Sequence, residues 1–253
     1  MAQVTEIAAD VYRISCWFPE INLQFNHFLV KDEEPLLFHT GLKRFFPEIV
    51  DAVRTVLPPE RLRWISFSHF ESDECGSLNE WLQLAPHAQA VSGFIGANVN
   101  LTDYAIRAPR CLMPGETLAT GNHRYRFCPT PHLPHGWDAG VLFEEERRTL
   151  FVSDLFHQEG VVEPLTSSDI LGRVRSTLSA YQQGPLANYV PWNHRSEGIL
   201  HSLSDLAPTT LAVMHGSSFN GNCAVALRDL STVMKEILGA HSSHAAVAEA
   251  AVK

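Results

Sequence analysis

Apolar residues recur along this chain with two different periods. Near the N-terminus they form short runs rich in β-branched and aromatic side chains, "VYRISCWF", "QFNHFLV" and "PLLFHTG", with the charged turn "KDEEP" between the last two. Runs of this kind bounded by polar clusters predict strands. The period then lengthens. In "FFPEIVDAVRTVL", Ile49, Val50, Val53 and Val56 share one helical stripe, and Pro47 lies early, where a missing N–H is tolerated. "RLRWISF" predicts the next strand, "LNEWLQL" a short helix and "AQAVSGF" a further strand, followed by a helix-compatible segment near residues 96–105.

The second half repeats the scheme. "HRYRFCPTP" is followed by "AGVLFEEERRTLFVSD", whose charged turn "EEERR" between two apolar arms predicts a hairpin. Helical patterning returns in "ILGRVRSTLSAY" and in "SEGILHSLSDL", which Pro208 closes. "TTLAVMHGS" predicts a strand and "AVALRDLSTVMKEIL" a closing amphipathic helix. Strands, then helix, then strands again, twice over, predict an α/β fold of two packed sheets with helices outside. No repeat or Pro/Ser-rich linker divides the chain, so residues 1–240 are expected to form a single domain and 241–253 a disordered C-terminal tail.

Composition narrows the function classes. With 253 residues, 45% of them hydrophobic, the chain can bury a substantial core. A formal net charge of −9, with no basic run interleaved with aromatics, argues against nucleic acid or an anionic membrane as partner. The first residues lack the basic and apolar regions of a signal peptide, and no apolar run approaches the roughly 20 residues that span a bilayer. A cytoplasmic location is expected. Cys16, Cys75, Cys111, Cys128 and Cys223 are scattered without a CxxC pair and read as reduced thiols. Cys75 reads as a small packed residue.

One stretch concentrates chemistry. "SHFESDECGS" places His69, Glu71, Asp73 and Glu74 within six positions, just after a predicted strand and before the turn at Gly76. Carboxylates so close repel one another unless something neutralises them, and a metal ion does so. His69, Asp154 and His215 each follow an apolar run, and His135 lies in the loop after "RYRFC". Side chains at strand ends on one sheet edge can converge on a single cleft. With Glu71 and Asp73 they supply three imidazoles and three carboxylates, enough for two metal ions if Asp154 bridges them. Such a nitrogen and oxygen set favours iron or manganese, with zinc also compatible.

These segments resemble the metallo-β-lactamase superfamily, whose signature H-x-H-x-D-H is followed by a His, an Asp at a strand end and a last His. "HFESDE" has Glu71 at the second His position, the H-x-E-x-D form of the flavodiiron proteins and the related oxygen-binding diiron proteins. "PHLPHGWDAG", "LFVSDLF" and "LAVMHGS" follow in the same order, and "PLLFHTG" resembles the superfamily's "LIDTG" turn. The resemblance runs over roughly residues 10 to 240 and implies a metallo-β-lactamase-like αββα sandwich. It also implies His69, Glu71, His135 and Asp154 as ligands of one metal, and Asp73, Asp154 and His215 as ligands of the other. Two positions depart from the pattern: Glu74 stands where the family has His, and His39 where it has Asp. Glu74 is open between a ligand and an acceptor behind the ligands, and His39 reads as lying behind them. His132 competes with His135, which the spacing to Asp138 favours. Trp17, Phe18 and Trp137 read either as pocket wall or as core. His27, His123, His157, His194, His241 and His244 receive no functional reading.

The resemblance implies a dinuclear, diiron protein that binds or reduces dioxygen. Glu71, Asp73 and Asp154 carry −3, or −4 with Glu74, close to balancing two divalent ions and poor for activating a bound water. No flavodoxin-like domain follows the last helix, so no FMN is expected in this chain and a reductase role would draw electrons from a separate partner. Dimerisation would be in keeping with the family. The alternatives are metal-assisted hydrolysis of an ester, lactone, thioester or phosphodiester, and metal binding for stability without turnover.

Overall fold

The computed structural model describes residues 1–239, so the expected tail, with His241 and His244, lies outside the described residues. Among the described residues the strands form two seven-stranded sheets. The first runs, in spatial order, β1 (Gln3–Ala8), β2 (Val11–Phe18), β3 (Leu23–Val30), β4 (Leu36–Phe38), β5 (Trp64–Ser66), β6 (Gln89–Gly93) and β7 (Arg110–Leu112). The early pairs are antiparallel hairpins, with Val11 opposite Val30 and Phe28 opposite Phe38. From β4 to β7 the pairing is parallel, with Phe38 opposite Ser66. Parallel neighbours need a crossover. Helix α1 (Phe46–Arg54) makes the first, and α2 (Ser72–Cys75) with α3 (Leu78–Leu84) makes the second. A π-helical turn, Gly96–Leu101, with α4 (Thr102–Tyr104) makes the third.

The second sheet runs β8 (Thr117–Ala119), β9 (Arg124–Pro129), β10 (Gly140–Glu144), β11 (Thr149–Phe151), β13 (Thr210–Ala212), β14 (Ser218–Phe219) and β12 (Leu165–Thr166). Strands β10 and β11 are the predicted hairpin, with Leu142 opposite Phe151. Between the parallel strands β11 and β13 lie α5 (Leu171–Tyr181) and α6 (Ser196–Asp205), and α7 (Cys223–Leu238) ends the described chain. The Asn222 side chain caps α7 by accepting from the Val225 N–H at 3.2 Å.

Side-chain alternation explains the layering. Leu37 and Ile65 point to one face of the first sheet, where they pack with Ile49 and Val53 of α1 and Trp81 of α3. Phe38 and Trp64 point to the other face and meet Tyr125, Leu142 and Phe151 of the second sheet. On that sheet's far side, Leu150 and Leu211 pack with Val174, Leu200 and Leu227 from α5, α6 and α7. The result is helix, sheet, sheet, helix, the αββα order. The main strands and helices stand where the apolar period placed them. Segment 96–101 is π-helical; β1 was not singled out among the N-terminal runs, and β7, β8, β12 and β14 were not foreseen, because two or three residues carry no readable period.

Candidate metal centre

Loops leaving the C-terminal ends of parallel strands meet at one edge of the sandwich. Strand β5 is followed by His69, Glu71 and Asp73, the last in the first turn of α2. Strands β11 and β13 are each followed within three residues by Asp154 and His215. His135 comes from the loop joining β9 to β10. Three backbone positions beside these residues adopt left-handed geometry, Gly136 at φ 80°, Ser153 at φ 55° and Gly216 at φ 120°.

The structure brings His69, Glu71, His135 and Asp154 into one group, with ligand atoms all within 4.8 Å of one another. Glu71 Oε2 lies 3.0 Å from His69 Nε2 and 2.7 Å from His135 Nε2. Asp154 Oδ2 lies 3.8 Å and 3.5 Å from the same two nitrogens. The other oxygen of Asp154, Oδ1, faces away from this group and lies 3.3 Å from His215 Nε2, which is also 3.3 Å from Asp73 Oδ2. One carboxylate therefore presents one oxygen to each of two clusters. Asp154 Oδ1 is buried and has no hydrogen-bond partner of good alignment, as expected of an atom shaped to bind an ion. Nitrogen and carboxylate donors without thiolate fit iron, manganese or zinc.

The atoms behind the imidazoles fix which nitrogen is offered. His215 Nδ1 donates to the Gln24 carbonyl at 2.9 Å, leaving Nε2 for the cleft. His69 Nδ1 is 2.9 Å from Ser68 Oγ, a hydroxyl that can donate or accept. The loop carrying His215 is clamped from the first sheet. The Asn26 amide donates to the Val213 and Gly216 carbonyls at 2.9 Å each, and Arg13 donates to Gly216 O at 3.1 Å. Arg13 is fully buried, and burial brings its guanidinium down to about 10. Sequence reasoning missed Arg13 and Asn26. Their signal was a polar residue at inward positions of otherwise apolar strands.

Protons and charges in the cluster are strongly coupled. Hydrogen bonds from His135 and then His69 hold the Glu71 carboxyl down at about 2, against the opposing effect of burial. Burial would lower His69, but the carboxylates of Glu74, Glu71 and Asp154 outweigh it and raise the imidazole to about 10. Burial would lower His215 too, but Asp154 and Asp73 outweigh it and raise the imidazole well above its ordinary value. Burial would raise Asp154, yet His215, His69 and His135 hold it far below the carboxylate range, whereas Asp73 is raised chiefly by burial. Without an ion, protons on imidazoles neutralise the carboxylates. A metal ion binding there would have to displace them.

Glu74 is fully buried behind the group, with its carboxylate on Ser68 at 2.8 Å and Ser153 at 3.2 Å, and is not one of the four clustered residues. His39 is also fully buried, with Nε2 2.5 Å from Glu74 Oε2 and Nδ1 3.0 Å from Met214 Sδ. His132 is exposed and outside the group, while His135 is in it. A cavity of about 490 Å³ opens onto the cluster, walled by Phe18, Leu23, Phe25 and Leu186. Trp17 and Trp137 do not line it.

His157, given no role by sequence, also lines the cavity, with its ring 4.6 Å from that of His215. Burial first and His215 second hold its imidazole down to about 3, hence neutral. It sits between the Tyr181 and Tyr189 hydroxyls, each at 3.1 Å. A neutral imidazole donates at one nitrogen and accepts at the other, so it holds both phenols in place beside the cleft. Its position three residues after Asp154 was the available signal; the tyrosines carried none.

Comparison with known proteins places these observations. Residues 23–216 match the family described as "ODP family beta lactamase". The flavo-diiron protein FprA2 of Clostridium acetobutylicum is 26% identical over 138 residues, covering 53% of this chain and 34% of that protein. The structure of rubredoxin oxygen:oxidoreductase from Desulfovibrio gigas superimposes with a TM-score of 0.77 at 17% identity, over 92% of this chain and 62% of that one. The apo chemotaxis sensor ODP from T. denticola gives 0.72 at 17% identity, over 91% of this chain and 93% of that one. The chain thus spans about a third of the flavo-diiron relative but nearly the whole of the sensor.

Proposed function

This chain belongs to the ODP family of β-lactamase-like proteins, and from that premise we propose that it is a diiron protein that binds or reduces dioxygen. The observation that carries the reading is Asp154, whose two oxygens face two separate His and carboxylate clusters at 3.3–3.8 Å. His69, Glu71 and His135 with Asp154 would hold one ion, and Asp73 and His215 with Asp154 the other. When bound, a pair of ferrous ions supplies a place for dioxygen and the electrons to reduce it.

The remaining chemistry belongs to the protein. Three carboxylates at the cluster, with Glu74 immediately behind, suit ions that gain positive charge and weaken the acidification of a bound water, which hydrolysis needs. The apolar walls formed by Phe18, Leu23, Phe25 and Leu186 suit a small uncharged ligand. Tyr181 and Tyr189, held by His157, place hydroxyl groups at its edge. Turnover would draw electrons from a separate donor, in line with a relative named for rubredoxin. Binding without turnover would make the chain a sensor, in line with the relative named as one.

Anaerobic purification with metal analysis, followed by an optical spectrum on exposure to air, tests this. Two irons per chain and a new oxo- or peroxo-type band are expected. Two zincs, a spectrum silent to oxygen and esterase or lactonase turnover would replace the reading with hydrolysis. A chain that takes up no metal would refute both.

A further inference from the structure

Glu74 is a carboxylate with no access to water, and its neighbours form a directional chain. Its Oε2 takes the Ser68 hydroxyl at 2.8 Å and lies 2.5 Å from His39 Nε2; its Oε1 takes the Ser153 hydroxyl at 3.2 Å. Ser68 Oγ is also 2.9 Å from His69 Nδ1 and 2.6 Å from Ser153 Oγ. An ionised carboxylate only accepts hydrogen bonds, and a serine has a single proton to give. Once Ser68 gives that proton to Glu74, its oxygen can only accept, and it faces Ser153 Oγ and His69 Nδ1. His69 must then carry hydrogen on Nδ1, and its Nε2 is the nitrogen left for the cleft, where Glu71 and Asp154 wait at 3.0 Å and 3.8 Å.

We propose that Glu74 is a positioning residue that, acting through Ser68, selects the His69 tautomer able to bind metal. Residues 39 and 74, both fully buried, meet here. His39 clamps the carboxylate from behind, and the Glu74 backbone carbonyl accepts from the Thr40 N–H at 2.7 Å. Through Ser153 the same carboxylate reaches the residue preceding Asp154, so one buried group holds both a ligand of the first cluster and the approach to the shared one. An amide in its place would donate as well as accept. It could give its own proton to Ser68, which would turn the serine proton toward His69 Nδ1 and put the imidazole hydrogen on Nε2. Size would be conserved and direction lost.

This inference rests on the reading of the six residues as metal ligands. The test is Co²⁺ affinity, measured by chelator competition on the full chain for Glu74→Gln, Ser68→Ala and the double variant, with thermal midpoints recorded alongside. Each single variant is expected to weaken the tighter affected ion by about 10- to 100-fold, the usual effect of losing a group that orients a ligand. The double variant should lose no more than the worse single one, because both act along one chain. Additive losses, or wild-type affinity in Ser68→Ala, would overturn the proposal. Ser68→Ala decides alone if Glu74→Gln does not fold. A wild-type chain that binds no Co²⁺ would instead overturn the ligand assignment beneath it.

Discussion

Replacing Asp154 with alanine should weaken both ions at once, a result no other ligand substitution should give. Its Oδ2 lies 3.5–3.8 Å from His135 and His69 Nε2, and its Oδ1 lies 3.3 Å from His215 Nε2, so both clusters lose a donor. Glu71 touches only the first cluster and Asp73 only the second. Loss of a group that merely orients a ligand costs about 10- to 100-fold in metal affinity, which sets a floor for losing a ligand itself. Asp154→Ala should therefore lower each affinity by at least about 10-fold, and their product by about 100-fold or more. Glu71→Ala and Asp73→Ala should each lower one affinity by a similar factor and leave the other within about threefold. The assay is Co²⁺ titration against a chelator, with the metal-to-protein ratio measured after gel filtration. If Asp154→Ala weakened one ion alone, or if Glu71→Ala weakened both equally, the carboxylate would not be shared and the two-cluster geometry would be wrong.

The metal-stripped protein should be most stable between about pH 4.5 and 6.5. The His69 imidazole is raised from 6.5 to about 10, so its stabilisation is full below 6.5 and is lost as pH climbs toward 10. Glu71 is lowered from 4.5 to about 2, so its stabilisation is full above 4.5 and is lost as pH falls toward 2. Thermal midpoints of chelator-treated protein would show the maximum, and a midpoint that climbs steadily from pH 6.5 to 9 would refute it. Gly216→Ala should destabilise the fold by about 1–3 kcal/mol, because φ there is 120° and an added Cβ would lie 2.7 Å from Gln158 Cβ. Since the substitution also moves the loop bearing His215, the Asp73 and His215 ion should weaken more than the other; unchanged denaturation and binding would contradict the strain argument.

What the chain disclosed in advance follows from how local each signal is. Helix α3 was legible because Leu78–Leu84 holds a full helical stripe, and the β10–β11 hairpin because apolar arms flank a charged turn. That His69, Glu71 and Asp73 would stand near the later His and Asp residues was legible because three ligand-type residues at alternate positions after a strand have few other uses. Glu74 was not, since its meaning depends on His39 and Ser153, which lie 35 and 79 positions away in sequence. Arg13 and Asn26 were hidden for the same reason. They hold the His215 loop across the space between the sheets, and no period along their own strands could say what stood opposite.

The three ligand-type residues after β5 come from the first half of the chain, and His135, Asp154 and His215 come from the second. During synthesis, residue 69 leaves the ribosome well before residue 215, carrying its acids with nothing to complete them. A nascent chain would meet free metal with a partial, weak chelate, and the full grip would form only after the later sheet has docked on the earlier one. On the proposed ligand assignment, metal retention would then report finished assembly, since a chain whose halves have not joined would hold its ions weakly.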